Sequence, residues 1–380
     1  MDFFGQQAAS RRLSRRLVLL FAVAVVAVVA AVNLIVLALV ANLDRGPGTA
    51  AQPGLVIPDG GWLAGNPGTV LLTTVIVLGI VGFASLYKTA RLSSGGGAVA
   101  RALGGERVSA DTRDPLRRRL LNVVEEMAIA SGVPVPEVYV LERETAINAF
   151  AAGYNPANAA VAVTRGTLEN LDRGELQGVV AHEFAHILNG DMRLNTRLIG
   201  LLFGLMVIAI IGRLVLRHTP RGGGNRKGGG GIALVVLAAL AVMVVGYVGL
   251  FFGRLIQAAV SRSREPLADA SAVQFTRDPG GIRNALVKIR ALAEGSRLVD
   301  ADAQEVSHML FAAGVRQLFA SHPPLVGRIR AIDPRFDPRE FEAVRARLLA
   351  ERQRAAAEAA AESPGTAAER LRKVLGPAVI

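Results

Sequence analysis

From Leu17 to Ala41 the chain carries no charged residue. A helix of about 20 residues crosses a hydrocarbon core, so this run is long enough to span one. Arg11, Arg12, Arg15 and Arg16 precede it, which keeps its N-terminal end in the cytoplasm under the positive-inside rule. A cleaved signal peptide has an apolar region of only about 7–15 residues, so an uncleaved anchor is the preferred reading. A second run, Gly68 to Tyr87, follows a Gly- and Pro-rich segment holding Trp62, the only tryptophan, and ends on Lys88 and Arg91. Those two cations fit a cytoplasmic return.

Two more runs, Leu198–Leu216 and Ile232–Phe252, flank a glycine-rich linker at 217–231. If both span, Arg217, Arg221, Arg226 and Lys227 lie outside the cell, against the charge rule. A hairpin that dips in without crossing would keep them inside. Either way, the chain after Phe252 returns to the side it left at Leu198. Composition agrees with a membrane protein: 51% of the residues are hydrophobic, 19% are charged and the mean hydropathy is +0.38. That excludes a disordered chain and is too apolar for an ordinary soluble enzyme. The net charge of +12 suits anionic lipid headgroups better than nucleic acid, because the basic residues are juxtamembrane with little aromatic interleaving. With no cysteine in the chain, disulfides, thiolate metal sites and cysteine nucleophiles are excluded, and any metal must be held by His, Asp or Glu.

Between the second and third runs, Pro115–Ala130 reads as a basic amphipathic helix broken at Gly132-Val-Pro-Val-Pro136. Val138–Leu141 and Ala159–Thr164 read as short strands. After the fourth run, helical stretches are expected over Glu265–Val273 and Ile282–Leu292. The divisions that follow are 1–92, an anchor and first membrane hairpin; 93–196, a catalytic region; 197–253, a second membrane hairpin; 254–333, a returning catalytic region; and 334–380, an Ala/Arg/Glu-rich tail forming a solvated helix or extension.

The chemistry sits in His182-Glu183-Phe184-Ala185-His186. On a helix, residues i and i+4 lie on one face, so both imidazoles reach one ion while Glu183 points to where a water would sit. Asp172 and Glu175 form a capping box at the start of that helix and Gly190 can end it. Leu176, Val180, Phe184 and Ile187 give it an apolar face away from the histidines. With five histidines and 31 acidic residues in the chain, roughly 0.005 chance matches to this pattern are expected. A catalytic zinc centre needs a third protein ligand. It must come from His218, His308, His322 or a carboxylate. The best placed is Glu265, which lies just past the fourth run and on the same membrane face as the motif helix. Asp269, one turn on, can hold a ligand imidazole through its free N–H.

His182–Asp191, read as His-Glu-Phe-Ala-His-Ile-Leu-Asn-Gly-Asp, and Ser261–Asp269, read as Ser-Arg-Ser-Arg-Glu-Pro-Leu-Ala-Asp, resemble the HtpX-type membrane zinc metalloproteases, relatives of the CAAX prenyl proteases. Asn148–Gly153, Ala159–Gly166 and Ser321–Ile329 add to the resemblance, which covers roughly residues 68–333. It implies a mainly α integral membrane protein with a cytoplasmic α+β zincin-like domain built on a small sheet. It implies one Zn2+ per chain held by His182, His186 and Glu265, with Asp269 and Asp191 in support. It implies that His322 and Arg328 line the cleft and serve the oxyanion or the substrate, while His218 and His308 match nothing. Asn148 falls in the segment that meets substrate. Where the family has an aromatic residue after the ligand glutamate, this chain has Pro266. Glu265 is therefore expected in the first turn of a new helix or at a kink.

The function expected is an endopeptidase in the plasma (inner) membrane of a bacterium, with Glu183 as general base and acid. Its substrates would be polypeptides, membrane proteins in quality control above all. A strand at 159–164, through Ala159, Val161 and Val163, could take an extended substrate if it lies at a sheet edge. Competing readings are a CAAX-type prenyl protease, which four apolar runs disfavour, and a membrane adaptor with an unused site, which the intact Glu183 disfavours. An intramembrane protease is disfavoured because Asp172, Arg173, Glu175 and Asp191 make the motif helix too polar to span.

Overall fold

All four apolar runs become helices in the computed structural model, which describes residues 3–43, 57–219, 229–292 and 323–361. In chain order the helices are α1 (Phe3–Leu43), α2 (Gly60–Gly65), α3 (Pro67–Leu92), α4 (Gly96–Ala102), α5 (Pro115–Ser131), α6 (Arg165–Asn170), α7 (Arg173–Leu188), α8 (Asp191–His218), α9 (Gly229–Thr276), α10 (Pro279–Ala291), α11 (Leu325–Ile332) and α12 (Glu340–Ala361). The strands are β1 (Glu106–Arg107), β2 (Glu137–Leu141), β3 (Ala149–Ala152) and β4 (Ala160–Thr164). Two compact units result: one holds Arg12–Ser93 and Leu194–Val260, the other chiefly Ser94–Arg193 and the chain from Ser261 onward. The boundary falls inside α8 and inside α9.

The first unit is the membrane unit. Each of its four helices is long and apolar enough to cross a bilayer. They meet through two apolar clusters, one around Phe21, Leu198, Leu202 and Leu250 and one around Val32, Val77, Val81 and Ile208. Small residues let the backbones approach: a Cβ on Gly212 would lie 2.7 Å from the Met243 nitrogen. Leu19, Val26, Leu71 and Phe83 stay exposed, as side chains that face lipid do. A polar contact, Asn33 Nδ2 to Thr74 Oγ1 at 2.6 Å, joins α1 to α3.

The second unit is a sheet between helices. Strand order is β1-β2-β4-β3, with β2 and β4 parallel and the other pairs antiparallel. Alternation decides its faces. Val138, Val140, Val161 and Val163 join the main core with α5, α7 and α10. Tyr139, Phe150, Ala160 and Ala162 face the other way, onto a smaller cluster that takes in Ala100 and Leu103. The alternating alanine and valine of β4 thus put bulk on the helical side and leave room on the other. There α4 comes so close that a Cβ on Gly96 would lie 2.2 Å from the Ala152 carbonyl oxygen.

Helix ends follow local chemistry. Asp114 caps α5 by accepting from the Leu116 N–H at 2.8 Å, and Gly132 closes it at φ 69°. Asp172 and Glu175 form the complete capping box expected of α7, and Gly190 follows its end at φ 70°.

Two expectations are corrected. β4 is not an edge strand: β2 pairs one side of it and β3 the other, so its backbone is already fully used. The edge is β3. Of the two readings of Glu265, the first turn of a new helix does not hold: α9 runs unbroken through Pro266 to Thr276. A proline inside a helix costs about 3 kcal/mol, which packing of this stretch offsets, since Leu267, Ala268, Ala270 and Ala272 are all buried.

Candidate metal centre

Three elements of the second unit converge on the motif histidines. α7 supplies His182 and His186 one turn apart, α9 supplies Glu265 and Asp269 one turn apart, and α8 opens on Asp191. The donor atoms of His182, His186 and Glu265 all lie within 4.8 Å of one another. The two Nε2 atoms are 3.2 Å apart, and the carboxylate oxygens of Glu265 lie 3.5 Å from His186 Nε2 and 3.6 Å from His182 Nε2. Ligands bound tetrahedrally to zinc at about 2.0–2.1 Å stand about 3.3 Å apart. The three donors therefore form a triangle of the size one such ion requires, from the N and O ligand types it accepts.

Each imidazole is fixed from its far side. Asp269 Oδ1 lies 3.0 Å from His182 Nδ1, and Asp191 Oδ2 lies 2.8 Å from His186 Nδ1. Each aspartate is in turn held by an arginine. Arg328 donates Nε to Asp269 Oδ2 at 2.8 Å and Nη2 to Oδ1 at 2.5 Å, and its Nη1 lies 3.1 Å from Glu265 Oε2. Arg264 donates Nε to Asp191 Oδ1 at 2.5 Å and Nη2 to the Asn189 carbonyl at 3.1 Å. Carboxylates that orient metal-binding imidazoles in this way set the tautomer and the ring plane.

Burial pushes both imidazole pKa values down, yet the carboxylates overcome it. His182 is raised by Asp269 and Glu265, and His186 well above the ordinary histidine range by Asp191 and Glu265. Burial likewise opposes the charge on Arg328, and Asp269 and Glu265 outweigh it. With both imidazoles neutral, as metal binding requires, the carboxylates of Glu183, Glu265, Asp191 and Asp269 face two guanidiniums, an excess of two formal negative charges.

Glu183 is buried and accepts a hydrogen bond from the Ala151 N–H of β3 at 2.8 Å. The edge strand thus runs beside the motif helix. Asn148, just before β3, is buried; its side-chain oxygen accepts from the Ala149 N–H at 3.0 Å, and its backbone is held by Thr164 and Thr167. Ala159, Val161 and Val163 are buried in the sheet interior. Arg328 does not line an open cleft: it is 4% exposed and turned onto Asp269 and Glu265. His322 and His308 lie outside the described residues, and His218 ends α8 in the other unit. Sequence reasoning missed the tie of Arg264 to Asp191, which stands 73 residues earlier, and it missed β3 as the edge beside Glu183.

Four membrane-length helices and a histidine–glutamate centre on a helix-and-sheet unit define a membrane metallopeptidase. Comparison with known proteins narrows the class. Residues 115–335 match the family described as Peptidase family M48. A "Protease HtpX homolog" of Listeria monocytogenes is 38% identical over 224 residues, covering 56% of this chain and 72% of that one. A protein of the same description from Streptococcus gordonii is 32% identical over 274 residues, covering 71% of this chain and 88% of its own. Among solved structures, the crystal structure of S. mikatae Ste24p aligns at a TM-score of 0.40 and 17% identity, over 71% of this chain and 60% of that one. The chain belongs to peptidase family M48.

Proposed function

We propose that this membrane metallopeptidase is a zinc-dependent endopeptidase that cleaves membrane polypeptides on the cytoplasmic face of a bacterial inner membrane, in the service of protein quality control. The observation that carries the reading is the triangle of His182 Nε2, His186 Nε2 and the Glu265 carboxylate, whose sides match one tetrahedral zinc ion per chain. Zinc, when bound, supplies Lewis acidity toward the peptide carbonyl and toward a water nucleophile.

The protein's own residues do the rest. Asp269 and Asp191 hold the two imidazoles with Nε2 presented and Nδ1 engaged. Glu183 takes the proton of the attacking water and returns it to the leaving amine nitrogen. Its tie to the Ala151 N–H fixes where that carboxylate rests. An extended substrate is placed along the edge of β3 and pairs through its outward carbonyls, because the Ala149 and Ala151 N–H groups are held by Asn148 and Glu183. Arg328 supports the centre through Asp269 and Glu265; an oxyanion role falls to His322 alone. The arginines before α1's apolar run, together with Lys88 and Arg91, favour a cytoplasmic catalytic unit and contact with anionic headgroups. Nucleic acid is not a partner in this reading.

Glu183→Gln is the test. Hydrolysis of a reporter membrane substrate in liposomes is expected to fall by about 100-fold or more, while zinc stays near one per chain. Undiminished hydrolysis in that variant refutes the reading.

A further inference from the structure

We propose that Arg264 is a positioning residue for the metal centre, acting through Asp191 on His186. The inference rests on the reading of His182, His186 and Glu265 as the ligand set. His182 is wholly buried, whereas the His186 side chain is 16% exposed. His186 is therefore the ligand whose ring most needs an external restraint, and Asp191 provides it. Asp191 sits at the first position of α8, immediately after Gly190 in the left-handed conformation, so its own backbone stands at a corner. Arg264 ties that corner down. One guanidinium spans the corner, with Nε on the Asp191 carboxylate and Nη2 on the Asn189 carbonyl at the end of α7. Both ends of the turn are thereby fastened to α9.

Position on α9 gives the contact its meaning. Arg264 directly precedes Glu265. The helix that delivers the third donor thus also fastens the carboxylate that orients the second imidazole, and the two cannot shift independently. The arrangement repeats the one on the other side, where Arg328 holds Asp269 and Asp269 meets His182. The two relays differ in origin: Arg328 comes from α11, whereas Arg264 shares its helix with the ligand. Only a planar fork with separated donors reaches an aspartate and a main-chain carbonyl together. A lysine at 264 keeps the charge and loses the second bond.

Zinc affinity, measured by competition with a chelator on the full chain in detergent, tests this. Outer partners of metal ligands change affinity by about 10–100-fold. Arg264→Lys is expected to weaken zinc by about that factor and to alter the visible absorption of the cobalt-substituted protein. Arg262→Lys should do neither. Because Arg264 acts through Asp191, the Arg264→Lys/Asp191→Asn pair should lose no more than Asp191→Asn alone. Wild-type affinity and an unchanged cobalt spectrum in Arg264→Lys would overturn the proposal, and so would losses that add in the pair. Glu265→Gln separates this from the ligand reading. If Glu265→Gln leaves zinc binding intact, the ligand set itself is wrong; if it abolishes binding while Arg264→Lys keeps the wild-type affinity, only the role of Arg264 falls.

Discussion

At the scale of single residues, the centre is a set of charges that are tolerated because each has a partner. Asp269 is buried against Arg328, which offers it two donors. Replacing it with asparagine leaves the guanidinium buried with less negative charge around it. Removing one partner of a buried ion pair costs about 3–5 kcal/mol, so Asp269→Asn should lower the unfolding midpoint in a thermal melt as well as weaken zinc binding. The histidine pair was legible from the sequence because its geometry is local: four residues on a helix fix the distance between two rings. Glu265 was legible only as a candidate on the right side of the membrane, since spacing along the chain says nothing about what folds back. Asp269 and Asp191 came from the resemblance and from their distance in turns. The tie of Arg264 to Asp191 was out of reach, because an arginine among arginines carries no local signal and its partner lies on another helix. Arg328 was expected in the cleft. Its motif shows that an arginine is present at that point and does not show which way the guanidinium turns.

The elements explain why the histidine helix sits where it does. α7 and α10 touch backbone to backbone. A Cβ on Gly178 would lie 2.4 Å from the Ile282 nitrogen, and one on Gly281 would lie 2.4 Å from the Gly174 carbonyl oxygen. Helix propensity alone favours alanine over glycine by about 1 kcal/mol. Within α7, packing reverses that sign at Gly178 and not at Gly174. Gly178→Ala should destabilise the protein by about 1–3 kcal/mol, the usual cost of overpacking. Gly174→Ala, whose Cβ would meet only Asp172 Oδ1 at an ordinary 3.5 Å, should be neutral or mildly stabilising. Denaturant unfolding of the two variants side by side measures the contrast. The capping box of α7, the glycines that follow α5 and α7, and strands β2 and β4 were readable because they are decided within a few residues. The order of strands was not. An Ala/Val alternation reports that both faces of β4 are covered and does not report whether both of its edges are paired. At Glu265 the sequence left a new helix and a kinked one both open, because proline is a local stop signal; packing of the residues after Pro266 keeps α9 continuous.

For the whole molecule, the open question from the sequence is which side of the bilayer each polar segment faces. A helix of 28 residues such as α8 is about 42 Å long, more than the roughly 30 Å of a hydrocarbon core. If all four helices cross, single cysteines placed in the chain, which has none of its own, will sort into two classes. Those at Gly61 and in the 221–228 linker should react with a membrane-impermeant thiol reagent on intact cells. One at Ser94 should react only after lysis. A protected linker would mean that α8 and α9 form a hairpin open to the cytoplasm.

The unbalanced pair of negative charges at the centre also bears on how the protein survives, beyond how it reacts. Without the ion the two imidazoles, whose pKa values the carboxylates raise, carry protons in its place, and because the ion binds the folded form, occupancy and persistence of the fold are linked. At a free zinc concentration 100 times its dissociation constant, binding to the folded form alone adds about 2.7 kcal/mol. Stripping the ion with a chelator should therefore shorten the protein's lifetime against added protease, and restoring zinc should return it. A cell short of this metal would lose the enzyme itself as well as its activity.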